Sequence, residues 1–278
     1  MLTSRLFKNI FGRIKYDPAK DEFNRNTWPL EHSKEEWIIE SDDHLELKAW
    51  LYRNPSAVYV IFNHGYHADI STQGDICEVL HDQLGWNVLL ISPRGTGISQ
   101  GEYITFGAKE RYDLAAWAWE LSRREPESKI VLMGWSMGAH TVMGALGLEL
   151  PSNVIAAVSD SGYIRPDDQI KLTIKARHPW ILFPDTLISS VDRYCHSDYD
   201  FSVHYSILGG LQLNHVPVLF VHGRMDSLVP CSCAAACYEA NFGEKQLMIV
   251  DQAGHCESFY KERSKYIAAV SDLVEKHI

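Results

Sequence analysis

The stretch from Lys129 to Leu146 constrains this chain more than any other, because it joins an apolar strand to a helix through Gly134-Trp135-Ser136-Met137-Gly138. Ile130 to Met133 is a short apolar run, as a strand buried on both faces requires. From Met137 to Leu150 the chain is rich in Ala, Met and Leu, which predicts a helix packed on the sheet. Between them, G-x-S-x-G predicts a sharp turn. The serine there takes a strained backbone conformation and its hydroxyl projects above the sheet edge. The glycines stand where side chains would collide with the neighbouring strand and helix. Three fixed letters carry little weight alone; the strand before them and the helix after them carry the reading.

The rest of the chain alternates strand and helix around this stretch. Residues 37–52 read as a hairpin turning at Ser41-Asp42-Asp43, and Val58 to Phe62 as a buried strand ending in Asn63-His64-Gly65-Tyr66. A helix over 73–84 and a strand from Asn87 to Ile91 follow. The glycine-rich loop Ser92 to Gly101 does not fit G-x-G-x-x-G opening a helix, so dinucleotide binding is not expected. A helix over 107–124 is expected to turn Tyr112, Ala115, Ala116, Trp119 and Leu121 inward. After a strand from Val154 to Ser159 the alternation pauses over 163–213, where Pro166, Pro179, Pro184, Gly209 and Gly210 lie among many aromatics. That pause predicts an inserted, partly helical lid. Strands return at 216–221 and 246–250, with helices over 231–242 and 258–277. The fold class is therefore α/β, with residues 1–34 a helical extension and 35–278 the main domain.

At 278 residues, with 46% apolar residues, the chain is long enough for one large domain with its own core. A net charge of −10 argues against nucleic-acid partners. The chain has no apolar run long enough to span a membrane and no visible export signal, so a cytoplasmic location with reduced thiols is expected. Cys231, Cys233 and Cys237 lack metal-ligand spacing, so neither a metal nor a cofactor is expected. Residues 1–16 place Leu2, Leu6, Ile10 and Ile14 beside Phe7 and Phe11 on one helical face with several basic residues. This predicts a helix packed on the body or, as a second reading, one lying on a membrane surface.

A serine hydroxyl needs a base to take its proton and a group to orient that base. His255 lies just past a strand in the turn Ala253-Gly254, better placed than His64, His140, His222 or His277. The orienting acid is expected at another strand end. Asp226, in Val221-His-Gly-Arg-Met-Asp-Ser-Leu-Val-Pro230, is the first candidate; Asp160 is its rival, and Asp251 reads as a turn former. The chain order Ser136, Asp226, His255 differs from those of chymotrypsin and subtilisin. Charge developing on an acyl oxygen calls for two backbone N–H donors, expected at Met137 and at Tyr66 in the loop after the Val58 strand.

With His64-Gly65, the loop Ser92 to Ser99, the serine turn, the Asp226 segment and Ala253-Gly-His255, the chain resembles the α/β-hydrolases over residues 35–278. It is most similar to the lid-bearing group of serine aminopeptidase-like hydrolases, bacterial esterases and depalmitoylases. The resemblance implies an eight-stranded, mostly parallel sheet with a helical cap between strands six and seven. It assigns Ser136, Asp226 and His255 as nucleophile, acid and base, and Tyr66 and Met137 to the oxyanion hole. Trp135 departs from the His or smaller residue found in many members. The leading expectation is hydrolysis of small or medium acyl esters. Thioester cleavage or depalmitoylation comes second. An aminopeptidase, which would need a carboxylate such as Asp167 or Asp168 for a free amine, is third, and a non-catalytic binding module last. Tyr163, Trp180, Ile181, Leu182, Phe183, Tyr194, Tyr199, Phe201 and Tyr205 are candidates to line an acyl pocket or to pack the lid.

Overall fold

In the computed structural model, which describes residues 2–16, 26–177 and 180–278, the apolar runs become eight strands. These are β1 (Glu35–Glu40), β2 (Glu46–Tyr52), β3 (Val58–Asn63), β4 (Asn87–Ile91), β5 (Lys129–Trp135), β6 (Val154–Asp160), β7 (Val218–Gly223) and β8 (Lys245–Val250). They form one sheet in the order β1-β2-β4-β3-β5-β6-β7-β8. The first hairpin is antiparallel, β2 pairs antiparallel with β4, and every later pairing is parallel. β7 begins two residues later than the sequence suggests: Pro217 has no N–H to give to a ladder, although its carbonyl accepts from Ala157 N at 2.8 Å.

The helices are α1 (Leu2–Phe11), α2 (Trp28–Glu31), α3 (Gly74–Glu78), α4 (Glu110–Arg124), α5 (Met137–Ala145) and α6 (Pro166–Arg177), then α7 (Pro184–Tyr199), α8 (Leu208–Leu211), α9 (Ser232–Ala240), α10 (Ser258–Lys261) and α11 (Arg263–Glu275). The helix expected over 73–84 is α3 followed by a π-helical stretch, Val79–Gln83. The one expected over 258–277 is broken at Glu262 into α10 and α11. α5 stops short of Leu150, and Gly147 just beyond its end lies against the backbone of Gly210, where an added Cβ would sit 2.7 Å from the Gly210 Cα.

The continuous apolar strands are explained by burial on both faces. Val60 and Phe62 of β3 point into one cluster with Ile76, Phe259, Tyr266 and Leu273; Tyr59 and Ile61 point into the opposite one with Leu114, Trp117, Val142 and Phe220. On α4 the buried face is Glu110, Asp113, Leu114, Trp117, Ala118 and Leu121, while Tyr112 and Trp119 are 43% and 48% exposed. The inward set expected from sequence was therefore wrong for those two aromatics. Two apolar stripes compete on this helix, and buried acids select between them. Glu110 accepts from the backbone N–H of Thr105 and Gly107 at 2.7 and 2.8 Å, and Asp113 pairs with Arg94 of the Ser92–Gly101 loop.

A third cluster joins α1 to the segment between β6 and β7. Phe7 stacks on Tyr199 with ring centroids 4.1 Å apart, and Phe11 meets Phe106 and Phe201 edge-on. Phe7 and Phe11 are buried, so this helix packs on the body, the first of its two readings. The side chains of Leu2 and Leu6 and residues 17–25 of the N-terminal extension lie outside what the structure describes, as does Pro179. No helix among the described residues is long and apolar enough to cross a membrane.

Candidate active site

The sheet order places β3 between β4 and β5, so the connections after β3 and β4 leave in opposite directions. At such a reversal of strand order, open α/β sheets hold their ligands at the carboxyl ends of the strands. Four of the singled-out segments end at this edge: Tyr66 after β3, Ser136 after β5, Asp226 after β7 and His255 after β8.

Ser136 has φ 54° and ψ −114°, in the left-handed region that a non-glycine residue occupies only under restraint, at a cost of about 1–3 kcal/mol. The restraint comes from both sides: Ser136 N donates to Asp160 O, and its own carbonyl accepts from His140 N, each at 2.9 Å. The flanking glycines are required by contact. A Cβ at Gly134 would lie 2.4 Å from the Gly138 carbonyl carbon, and one at Gly138 only 1.9 Å from Asn63 O. Gly138→Ala is therefore expected to destabilise the fold by about 3 kcal/mol, the upper end of overpacking costs, because the obstacle is backbone. Urea unfolding measures it as a lower midpoint; an unchanged midpoint would refute the steric reading of the motif.

Gly223 serves the same purpose at the other side of the site. An added Cβ there would sit 2.3 Å from Ala253 O and 2.4 Å from Gly254 O. Its absence lets the loop after β8 close onto β7, where Met225 N donates to Ala253 O at 2.9 Å. This closure brings His255 to Asp226. His255 Nδ1 lies 2.8 Å from Asp226 Oδ2, and His255 Nε2 lies 2.8 Å from Ser136 Oγ. A carboxylate only accepts, so Nδ1 carries the hydrogen, and in the neutral ring Nε2 is left to accept from the serine hydroxyl.

Asp226 is buried, and its Oδ1 accepts from Leu228 N and Val229 N at 2.9 and 2.8 Å. Burial alone would raise its pKa. Hydrogen bonds from His222, His255 and the Val229 N–H outweigh burial and hold it well below the usual carboxylate range. For His255, burial opposes the charged ring, while negative charge at Cys256 and the hydrogen bond to Asp226 favour it; the net direction is upward.

The rival residues are occupied elsewhere. Burial pushes Asp160 up to about 6, and its Oδ1 accepts from Ser161 Oγ at 2.9 Å, not from His255. Ser161, which the sequence did not single out, also accepts from Cys256 N at 3.1 Å and so ties the His255 loop to β6. Only its position, one residue past a strand end, distinguishes it in the sequence. Asp251 pairs with Arg224 at the surface. His64 donates from Nδ1 to Gly65 O at 2.9 Å. His140 donates from Nδ1 to Tyr163 O at 2.7 Å and accepts at Nε2 from the Tyr205 hydroxyl. His277 bonds Leu273 O near the chain end.

The Tyr66 loop lies directly against the serine turn: Asn63 registers with Gly134, and a Cβ on Gly65 would sit 3.2 Å from the Ser136 Cβ. Met137 is the first residue of α5, its side chain buried in the third cluster with Tyr66 at the margin. The Tyr66 hydroxyl donates to Ile10 O at 3.4 Å, linking this loop to α1. Among the candidate pocket aromatics, Tyr163 and Phe201 are buried, and Tyr194 and Tyr199 pack on Phe7. Trp180, Leu182 and Phe183 are 70%, 81% and 74% exposed. Trp135 packs on Phe62 and Phe259, and its indole N–H donates to the Tyr266 hydroxyl at 3.1 Å, in the cluster that also holds Ile76 and Leu273.

Comparison with known proteins places these features in a wider set. The family described as serine aminopeptidase, S33, matches residues 54–196. The uncharacterized protein YqkD of Bacillus subtilis is 26% identical over 193 residues, 69% of this chain; the match spans 63% of that relative's length. The uncharacterized protein Rv2307c of Mycobacterium tuberculosis is 24% identical over 222 residues, covering 78% of this chain and 71% of its own. Among solved structures, the Pyrococcus furiosus esterase Pf2001 superposes with a TM-score of 0.71 at 25% identity, covering 94% of this chain and 99% of its own.

Proposed function

The chain belongs to the serine aminopeptidase, S33, family of α/β-hydrolases, and from that premise we propose that it hydrolyses carboxylic esters of small or medium acyl groups through an acyl-enzyme. Ser136 is the nucleophile, His255 the base and Asp226 the acid that orients it. The backbone N–H groups of Met137 and Tyr66 receive the oxyanion, and residues 163–213 cap the site. The observation that carries this reading is the unbroken relay from Ser136 Oγ to His255 Nε2 and from His255 Nδ1 to Asp226 Oδ2, both links at 2.8 Å.

Ser136 Oγ attacks the acyl carbon as its proton passes to His255 Nε2, and the carbonyl oxygen becomes an oxyanion. Asp226 stabilises the imidazolium so formed without taking its proton. Collapse breaks the bond to the alcohol, which leaves with the proton from Nε2. Water then attacks the acyl-enzyme with His255 again as base, releasing the acid and restoring Ser136. Each oxyanion donor is worth about 3 kcal/mol in the transition state.

Two observations favour esters over peptides with a free amine. Both oxygens of Asp167 are taken by Arg165 and His204, at 2.7–2.9 Å, and Asp168 is exposed. The similar solved structure at 25% identity is named an esterase. The reading is tested with p-nitrophenyl esters from acetate through octanoate to palmitate, matching thioesters, and aminoacyl anilides, with Ser136→Ala as control. The highest kcat/KM is expected on the shorter esters. A preference for thioesters or anilides would overturn the substrate assignment.

The pH dependence follows from His255. Only the neutral ring accepts the serine proton, so activity falls as pH drops through its ionisation. Because that ionisation is raised, the acid limb of kcat/KM should lie above the ordinary imidazole value of about 6.5. A midpoint at or below that value would contradict the upward shift that Cys256 and Asp226 together give His255.

A further inference from the structure

His222, at this edge and wholly buried, takes no part in the relay itself but lies against its acid. It sits near the end of β7, four residues before Asp226. Its Nε2 lies 3.0 Å from Val229 O and 3.2 Å from Asp226 Oδ2. A carbonyl oxygen accepts only, so Nε2 carries the hydrogen, shared between the two oxygens. Nδ1 is then bare, and it is buried without a hydrogen-bond partner, as suits a neutral ring: a second N–H would be a buried charge with nothing to receive it.

The partners form a closed ring. Val229 gives its N–H to Asp226 Oδ1 and its carbonyl to His222, and His222 returns to Asp226 Oδ2. With Leu228 N and His255 Nδ1, four N–H groups surround the carboxylate. Such a carboxylate has its acceptor sites filled and no freedom to turn.

Resting on the site assignment proposed above, we propose that His222 is a positioning residue for hydrolysis: its Nε2–H, shared by Val229 O and Asp226 Oδ2, locks the carboxylate that orients His255. It touches neither the substrate nor Ser136. It acts by fixing Asp226 and by drawing off part of the negative charge that His255 feels. Without it, Asp226 attracts the His255 imidazolium more strongly and holds its direction less well. Proton transfer slows, and the protonated ring persists to higher pH. The other ionisable groups facing this pair are Asp160 on β6, Cys256 beside His255, and Cys231 and Cys233 at the start of α9; Tyr266 on α11 faces Asp160 and Cys256 behind them.

The test compares His222→Phe, which removes the donor, with His222→Gln, whose amide can replace it. Rates on a p-nitrophenyl ester are normalised to sites titrated with a fluorophosphonate, and Ser136→Ala is run alongside. Asp160, Tyr266, Cys231, Cys233 and Cys256 are common to all these proteins, so their titration does not separate the variants. His222→Phe should lose about tenfold in kcat per titrated site, keep its KM, and move its acid limb to higher pH. His222→Gln should recover the limb and most of kcat. A purely structural His222 would lower the number of titratable sites and leave the limb in place. An unchanged kcat and limb in His222→Phe, with Ser136→Ala inactive, overturns this inference alone; an active Ser136→Ala overturns the site reading beneath it. If His222→Phe does not fold, the nitrogen-15 spectrum of the wild-type histidines decides. A His222 ring protonated at Nε2 supports the proposal, and one protonated at Nδ1 overturns it.

Discussion

Ser136→Ala is expected to lower kcat roughly a million-fold on any substrate the protein accepts, leaving only the small rate that oxyanion donors and binding give to water attack. The magnitude follows from the relay. With Oγ gone, His255 Nε2 has no nucleophile to activate, so the contributions of His255 and Asp226 disappear together. The fold should survive. Alanine fits the space of serine, the backbone at φ 54° is held by the Asp160 and His140 bonds, and neither involves the side chain. The variant should therefore melt within a few degrees of wild type. Full activity in it would mean that hydrolysis takes place elsewhere.

Asp226→Asn is expected to cost roughly ten-thousand-fold in kcat, the scale found when an orienting carboxylate becomes an amide and its histidine adopts the wrong tautomer. Here the cause can be followed atom by atom. Leu228 N and Val229 N point at Oδ1, and His255 Nδ1 and His222 Nε2 approach Oδ2. An amide must put its NH2 against one of these pairs. Facing Oδ1's partners, it sets donor against donor beneath the loop; facing His255, it forces the ring to bare Nδ1 and protonate Nε2, which then cannot accept from Ser136. Either choice also leaves buried donors unmatched, costing about 1–3 kcal/mol of stability. Kinetics and urea unfolding on one preparation separate the two losses. A variant with near-normal kcat would show that Asp226 does not set the tautomer of His255.

Those parts of the molecule governed by local rules were readable in the sequence. The serine turn was legible because Gly134 and Gly138 stand where no Cβ fits, a steric demand visible as a spacing. The central strands β3, β4 and β5 were legible because burial on both faces makes them almost uniformly apolar, and the position of His255, in an Ala-Gly turn past a late strand, is the one the structure also gives it. Other features depend on distant partners. The burial of Phe7 rests on Tyr199, far along the chain. The phase of α4 turned on Arg94 receiving Asp113, so Tyr112 and Trp119 looked equally fit for the core. His222 reads in the sequence only as a strand-end histidine; its bonds to Val229 O and Asp226 exist because the next turn folds back over it. Of the aromatics between β6 and β7, the buried and the exposed differ in what packs beside them and not in residue type.

The most direct test of the proposed chemistry is covalent. Folded wild-type protein is incubated with a fluorophosphonate, weighed intact and digested to map the adduct. A single phosphonyl group is expected on Ser136, absent from Ser136→Ala and much slower to form when His255 is replaced by glutamine. No adduct on the folded wild-type protein, or one on another residue, would contradict Ser136 as the nucleophile.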